Sequence, residues 1–183
     1  VYDLSLGVST RVVNGVPRPA GYQGTHVFAA IPHRLVSFGD VLCDNGTGYY
    51  SMYNDGNYFR CAPPLAAESL VGSLGDLPHA SLCGSRGLVL MHTNTDTGSA
   101  GTGHQPPKLG SSLSISLAAS PSDPLDPFYT SSYIVGRVVG RTASDMEAAL
   151  AHLRHISEAA SEELRLHGGG ATLPCVVVCG ELQ

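Results

Sequence analysis

Residues 22–53 read YQGTHVFAAIPHRLVSFGDVLCDNGTGYYSMY, and this stretch decides the fold. Thr25–Pro32 and Leu35–Leu42 are two short, largely apolar runs separated by a proline-led corner, the pattern of two strands meeting at a turn. The run Asp44–Gly48 (DNGTG) that comes next is made of residues that tolerate positive φ, so a tight loop is expected there. Tyr49–Phe59 is aromatic and polar with Gly56 inside it, and suggests strand fragments around a further turn.

Working outward, the pattern is repeated. Val1–Leu6 alternates apolar and polar and predicts a half-buried strand, and Asn14-Gly15, Pro17 and Pro19 mark turns after it. Gly87–Met91 is a continuous apolar run, hence a buried strand. Leu113–Leu117 alternates Leu, Ser, Ile, Ser, Leu and predicts a strand with hydroxyls on one face. Tyr133–Val139 and the β-branched run Cys175–Cys179 complete the strand candidates. Asn94–Pro107 holds no apolar residue larger than alanine and reads as a long surface loop. Pro64–Leu74 offers a short helix. The strong helix starts at Ser144, where Ser144 and Glu147 form a capping box. Met146, Ala149, Leu150, Leu153, Ile156 and Ala160 supply its buried stripe, and Gly168–Gly170 stops it.

Composition limits what such a chain does. Its 183 residues carry 10 Lys+Arg against 15 Asp+Glu, a net charge of −5, and 14% of residues are charged. One lysine, Lys108, leaves no basic stripe for phosphates, so direct nucleic-acid binding is not expected. No run approaches a membrane span of roughly 20 apolar residues, and no basic N-terminal region precedes an apolar stretch, so neither membrane insertion nor secretion is expected. Five cysteines (Cys43, Cys61, Cys83, Cys175, Cys179) are an odd number without tight spacing. That fits an intracellular, reducing compartment, cytoplasm or organelle interior, better than a disulfide framework. Cys175 and Cys179 on a strand lie about 13 Å apart at the usual rise, too far to share one metal, and are expected to be buried structural residues. With 22 Gly and 12 Pro, seven or eight short strands and one helix, a single domain spanning residues 1–183 is expected. Periodicity leaves a barrel and a sandwich equally open.

The quoted stretch resembles the cyclophilin family. Tyr22-Gln-Gly-Thr, Ile31-Pro32, Gly39-Asp40, Asn45-Gly46-Thr47-Gly48, Ser51 and Tyr53 fall at the family's spacing without a gap. Four further anchors come in order. Tyr2–Gly7 is similar to the first family strand, Gly87–Met91 to G-L-L-S-M, Val135–Val138 to the strand before the second family helix, and Cys179–Leu182 to the closing C-G-Q-L. The resemblance implies an all-β fold with few helices, a closed eight-stranded antiparallel barrel. About fifteen residues separate the first strand from Tyr22. Arg11-Val12-Val13 stands for a truncated second strand, and the first covering helix is missing. Insertions fall around Cys61–Ser85 and Asn94–Pro107.

Cyclophilins accelerate rotation about X–Pro bonds, whose uncatalysed barrier is about 18–20 kcal/mol. They hold proline in an apolar pocket and aim an arginine at the twisted imide. The resemblance carries that arginine, in F-H-R-V-I-P, to Ala29. It carries the pocket to Arg34, Leu35 and Ser37, to His92, Thr93 and Asn94, and to Ser112, Leu113 and Ser114. The tryptophan position falls near Phe128 and a histidine position at Ser132; the chain has no Trp. Loss of one preorganised donor costs roughly 10²–10³ in rate, so isomerase activity is expected to be weak or absent. The implied role is a protein-binding or scaffolding module within a larger complex, taking protein or proline-containing peptide. The alternative is an active isomerase with a rearranged site in which Arg34 substitutes for the lost donor. No cofactor is implied. His152 and His155, three apart on the helix, lack a third ligand nearby, so no metal is expected. No G-x-S-x-G elbow is present, and Gly98–Gly103 lacks the context of a phosphate loop.

Overall fold

The computed structural model describes residues 2–7, 9–13, 16–48, 59–60, 86–94, 108–117, 132–168 and 172–179. The helix expected at Pro64–Leu74, the loop after Asn94, most of Tyr49–Phe59, Cys61, Cys83 and Phe128 lie outside the described residues. In chain order the elements are α1 (Tyr2–Leu6), β1 (Ser9–Val13), β2 (Val16–Ala20), β3 (Ala29–Ile31), β4 (Leu35–Phe38), β5 (Phe59–Arg60), β6 (Leu88–Asn94), β7 (Lys108–Ser116), β8 (Ser132–Arg137) and α2 (Ala143–His167).

The main sheet is antiparallel, with the order β3-β4-β7-β6-β8. β5 pairs with the start of β7, on Lys108 and Leu109. β1 and β2 form a separate hairpin in which Arg11 faces Arg18 and Val12 faces Pro17. Among the described residues no ladder joins β3 to β8, so the expected closed eight-stranded barrel is replaced by an open sheet beside a hairpin. The C-terminal run instead pairs with the segment before β3. Val27 N donates to Pro174 O at 2.8 Å, Val176 N to Thr25 O at 2.8 Å and Gly24 N to Val176 O at 2.7 Å. The C-terminal run is therefore a short paired segment with one isolated bridge, His26 to Cys175, and not the strand Cys175–Cys179. Its Pro174 has no N–H to extend a ladder.

Two expectations at the ends of elements are also corrected. The first is the strand Val1–Leu6, where the structure has the helical turn α1. Six residues of alternation do not distinguish one turn of helix from one strand when docking decides. Leu4 is buried, and its carbonyl accepts Tyr22 N at 3.0 Å. The second is the start of the long helix. Its N-cap is Thr142 and its capping box pairs Thr142 with Asp145, whose N donates to Thr142 Oγ1 at 3.1 Å. Glu147, freed from capping, pairs with Arg86 instead. Gly168 forms the C-cap, as expected.

The buried face of the sheet explains the strand sequences. Val36, Ile115 and Val89 share one cross-strand row, and they pack with Leu153, Ile156 and Ala160 of α2. The next row, Phe38, Leu113 and Met91, packs with Leu4, Ala20, Tyr22 and Val41. Both rows lie on the same face, because residues two apart on a strand share a side. The opposite face carries Ser37, Leu90, Ser112, Ser114 and Ser116, and these are buried as well. The central strands are thus covered on both sides, which is why Gly87–Met91 reads as unbroken apolar sequence.

Candidate functional site

The sheet register brings several of the residues singled out from sequence onto one line. Ala29 faces Ser37, Ser37 faces Ser114, and Ser114 faces Leu90. Directly opposed residues project from the same face, so Ala29, Ser37 and Ser114 sit side by side, with Ser112 two residues along. The side chains of Ser37 and Ser114 are hydrogen-bonded to each other. Ser112 is 7% exposed and its Oγ has no hydrogen-bond partner among the described residues. Leaving a buried hydroxyl unmatched costs about 1–3 kcal/mol.

The other residues separate from this row. Leu113 projects to the opposite face, into the cluster with Tyr22 and Leu4. Leu35 is buried at the end of the β3–β4 hairpin, opposite Ile31. Arg34 lies in the exposed turn of that hairpin, where its N donates to Ile31 O at 2.9 Å and its O accepts Leu117 N at 2.8 Å. Three residues of strand separate it from Ser37, an offset of about 10 Å from the Ala29 row. His92 pairs with Ser132, Thr93 with Leu109 and Asn94 with Lys108, after a bulge between Met91 and Thr93. Phe128 lies outside the described residues.

Beyond the end of β4, an acidic side chain is enclosed by its own loop. Asp40 is fully buried. Its Oδ1 accepts the amides of Leu42 and Cys43, both at 3.1 Å. Its Oδ2 accepts those of Asn45 at 3.3 Å, Gly46 at 2.9 Å and Gly48 at 2.9 Å. Burial pushes this carboxyl up, but the amides of Cys43, Gly48, Leu42 and Asn45 outweigh it and hold it below the usual carboxylate range. The loop expected at Asp44–Gly48 is present, with Asp44 at φ 56° and Gly46 at φ 85°. A Cβ on Gly46 would meet the Phe28 ring at 2.6 Å, and one on Gly48 would collide with Asp40 Oδ1. Asp40 is a structural anion: all its lone-pair directions are taken by backbone amides, leaving none for a substrate or metal.

Beside the loop the structure assembles a group that no local pattern signals. His26 N donates to Asp44 Oδ1 at 2.6 Å, and its ring Nδ1 pairs with Asp44 Oδ2. Cys175, opposite His26 in the isolated bridge, is exposed. That corrects the buried role expected for Cys175. Cys179 is half-buried, packed in the cluster with Tyr22. The members of this group are separated by up to 149 residues, so neighbours in sequence carry no trace of it. On α2, His155 Nδ1 lies 3.6 Å from Glu158 Oε2.

No protein-family model and no curated protein matches this chain. Among solved structures, the chain is similar to the crystal structure of a cyclophilin type peptidyl-prolyl cis-trans isomerase from Cryptosporidium parvum. The identity is 19% and the TM-score 0.45, over 74% of this chain and 62% of that one. The chain thus spans less than two thirds of that protein's length. No helix among the described residues is long and apolar enough to cross a membrane.

Proposed function

We propose that the chain is a cyclophilin-like domain that binds protein or proline-containing peptide and isomerises it weakly or not at all, serving as a scaffold within a larger assembly. The observation that carries this reading is the methyl group of Ala29, in register with Ser37 and Ser114. Rotation about an imide needs a positioned donor at the nitrogen and a dry apolar seat for the ring. Ala29 supplies no donor, and the neighbouring Ser37 and Ser114 bring only neutral hydroxyls, hydrogen-bonded to each other, in place of a cation. Val139, Val177 and Val178, 70%, 71% and 82% exposed, support the assembly part of the reading, being large apolar side chains left in water.

A protease-coupled isomerisation assay on a proline-containing peptide tests the enzymatic half. Turnover at background is the expected result. Activity above background that vanishes in Arg34→Ala overturns the scaffold reading in favour of a rearranged isomerase. The assembly half requires a partner interface of more than roughly 1,000 Å², readable from a structure of the native complex.

A further inference from the structure

Between the end of β8 and the first turn of α2 the chain turns a corner beside a cavity of about 220 Å³. The corner is tight at Gly140, where a Cβ would come within 2.5 Å of Met146 N and 2.9 Å of Thr142 O. Arg137, before the corner, and Arg141, after it, line the cavity together with Val139 and Met146. Both arginines are exposed, and among the described residues neither guanidinium has a hydrogen bond or an ion pair. The carboxylates nearby in sequence are engaged elsewhere: Asp145 Oδ2 accepts Thr142 N at 2.9 Å, and Glu147 pairs with Arg86. Val139 is aliphatic and yet 70% exposed. Two uncompensated guanidinium forks beside an uncovered aliphatic side chain are the complement of carboxylates with an apolar neighbour. The cavity is smaller than the roughly 300–1,000 Å³ of small-molecule pockets, so it suits a side chain of a larger ligand better than a whole metabolite. A net charge of −5 opposes nucleic acids and anionic bilayers, which need a basic surface broader than two residues.

We propose that this cavity is the docking point for an acidic segment of a partner protein. Arg137 and Arg141 take its carboxylates, and Val139 and Met146 take the aliphatic residue beside them. The surface is distinct from the row of Ala29, Ser37 and Ser114, because β8 and β3 stand at opposite ends of the sheet order. The inference rests on the partner-binding half of the proposed function, whose partner chemistry it names, and is indifferent to isomerisation.

The test titrates the whole protein into a short fluorescent peptide that alternates glutamate and leucine, and into its counterpart with glutamine for glutamate, and follows anisotropy. The glutamate peptide is expected to bind about tenfold more tightly, a preference that shrinks as salt is raised. Arg137→Gln and Arg141→Gln are each expected to weaken it by about threefold, and the double variant to abolish the preference. Arg165→Gln, at the far end of α2 and paired with Glu162, is expected to leave it unchanged. Equal affinity for the two peptides in the unaltered protein, or none for either, overturns the proposal. So does an unchanged preference in a folded double variant, or binding to phosphatidylserine vesicles in place of the peptide. A structure of the native complex separates this inference from the scaffold reading: a partner seated on Val177 and Val178 with the cavity open overturns the inference alone, and the absence of any partner interface overturns both.

Discussion

Asp40 is the residue on which the loop after β4 depends, and its five amide contacts define what a substitution does. In Asp40→Asn one acceptor oxygen replaces two, and the new NH₂ is aimed at donors. The expected loss of stability is about 3 kcal/mol, from buried charge-assisted bonds left unmade, and urea denaturation measures it. The same geometry sets a pH dependence. An Asp carboxyl in an unfolded chain titrates near pH 3.9, and amide bonding holds that of folded Asp40 lower despite its burial. The unfolded state therefore binds the proton first on acidification. The stabilisation is complete above pH 3.9 and is lost as the pH falls through the folded value. Thermal melts taken from pH 7 to pH 2 should show this loss in the native protein and its absence in Asp40→Asn. Tyr22 works in the opposite direction. Burial first, then Cys179, pushes its phenol up, and its OH donates to Ser111 O at 3.0 Å. Its contribution is present below the unfolded value near 10 and is lost at higher pH, so Tyr22→Phe should flatten the alkaline limb of the same melts.

At the scale of elements, α2 meets the β3–β4 hairpin through a buried hydroxyl, besides its apolar stripe and an exposed pairing of Glu158 with His33 in the turn. Ser157 is fully buried and its Oγ contacts Ile31 O at 3.1 Å and Leu35 O at 3.0 Å. Ser157→Ala should cost about 1–2 kcal/mol by removing the one proton these two carbonyls share, even though Ile31 O keeps the amide of Arg34, with chemical denaturation as the readout. This contact also marks where sequence reading stops. The stripe of Leu150, Leu153, Ile156 and Ala160 is legible because burial repeats with the helical period, and all four are buried or packed on the core. Ser157, in the same stripe, carries no such mark, since its partners are carbonyls 122 and 126 residues away. β4, β6, β7 and β8 were legible from apolar runs and alternation, and the Asp44–Gly48 loop from its turn residues. α1 was not, because six alternating residues suit either conformation and its docking on Tyr22 decides between them. The candidate site divides in the same way. Ala29, Ser37 and Ser114 are singled out by the resemblance alone, and the register of three strands sets them in one row.

For the molecule as a whole, the pairing of residues 24–27 with 174–176 joins segments about 150 residues apart and brings Val27, Leu173 and Val176 to the two core clusters. Such distant contacts carry a loop-closure entropy cost that local ones avoid. Val176→Pro removes the donor to Thr25 O and the side chain packed beside Leu4 and Tyr22. It should lower stability by about 3 kcal/mol. Amide hydrogen exchange should report the change at Gly24 and Val27 before it reaches Leu90 in the centre of the sheet, because an edge opens at lower free energy than a core strand. Simultaneous loss of protection at all three amides would mean that the molecule has no separable edge.

The enclosure of Asp40 has a corollary for protein engineering. The conformation of DNGTG is held from outside, by an anion four positions upstream of its first residue. Transplanted alone to another scaffold, those five residues would bring their glycines and lose their template. A successful graft would have to carry the strand end with its carboxylate, together with an aromatic ring in place of Phe28 to floor Gly46.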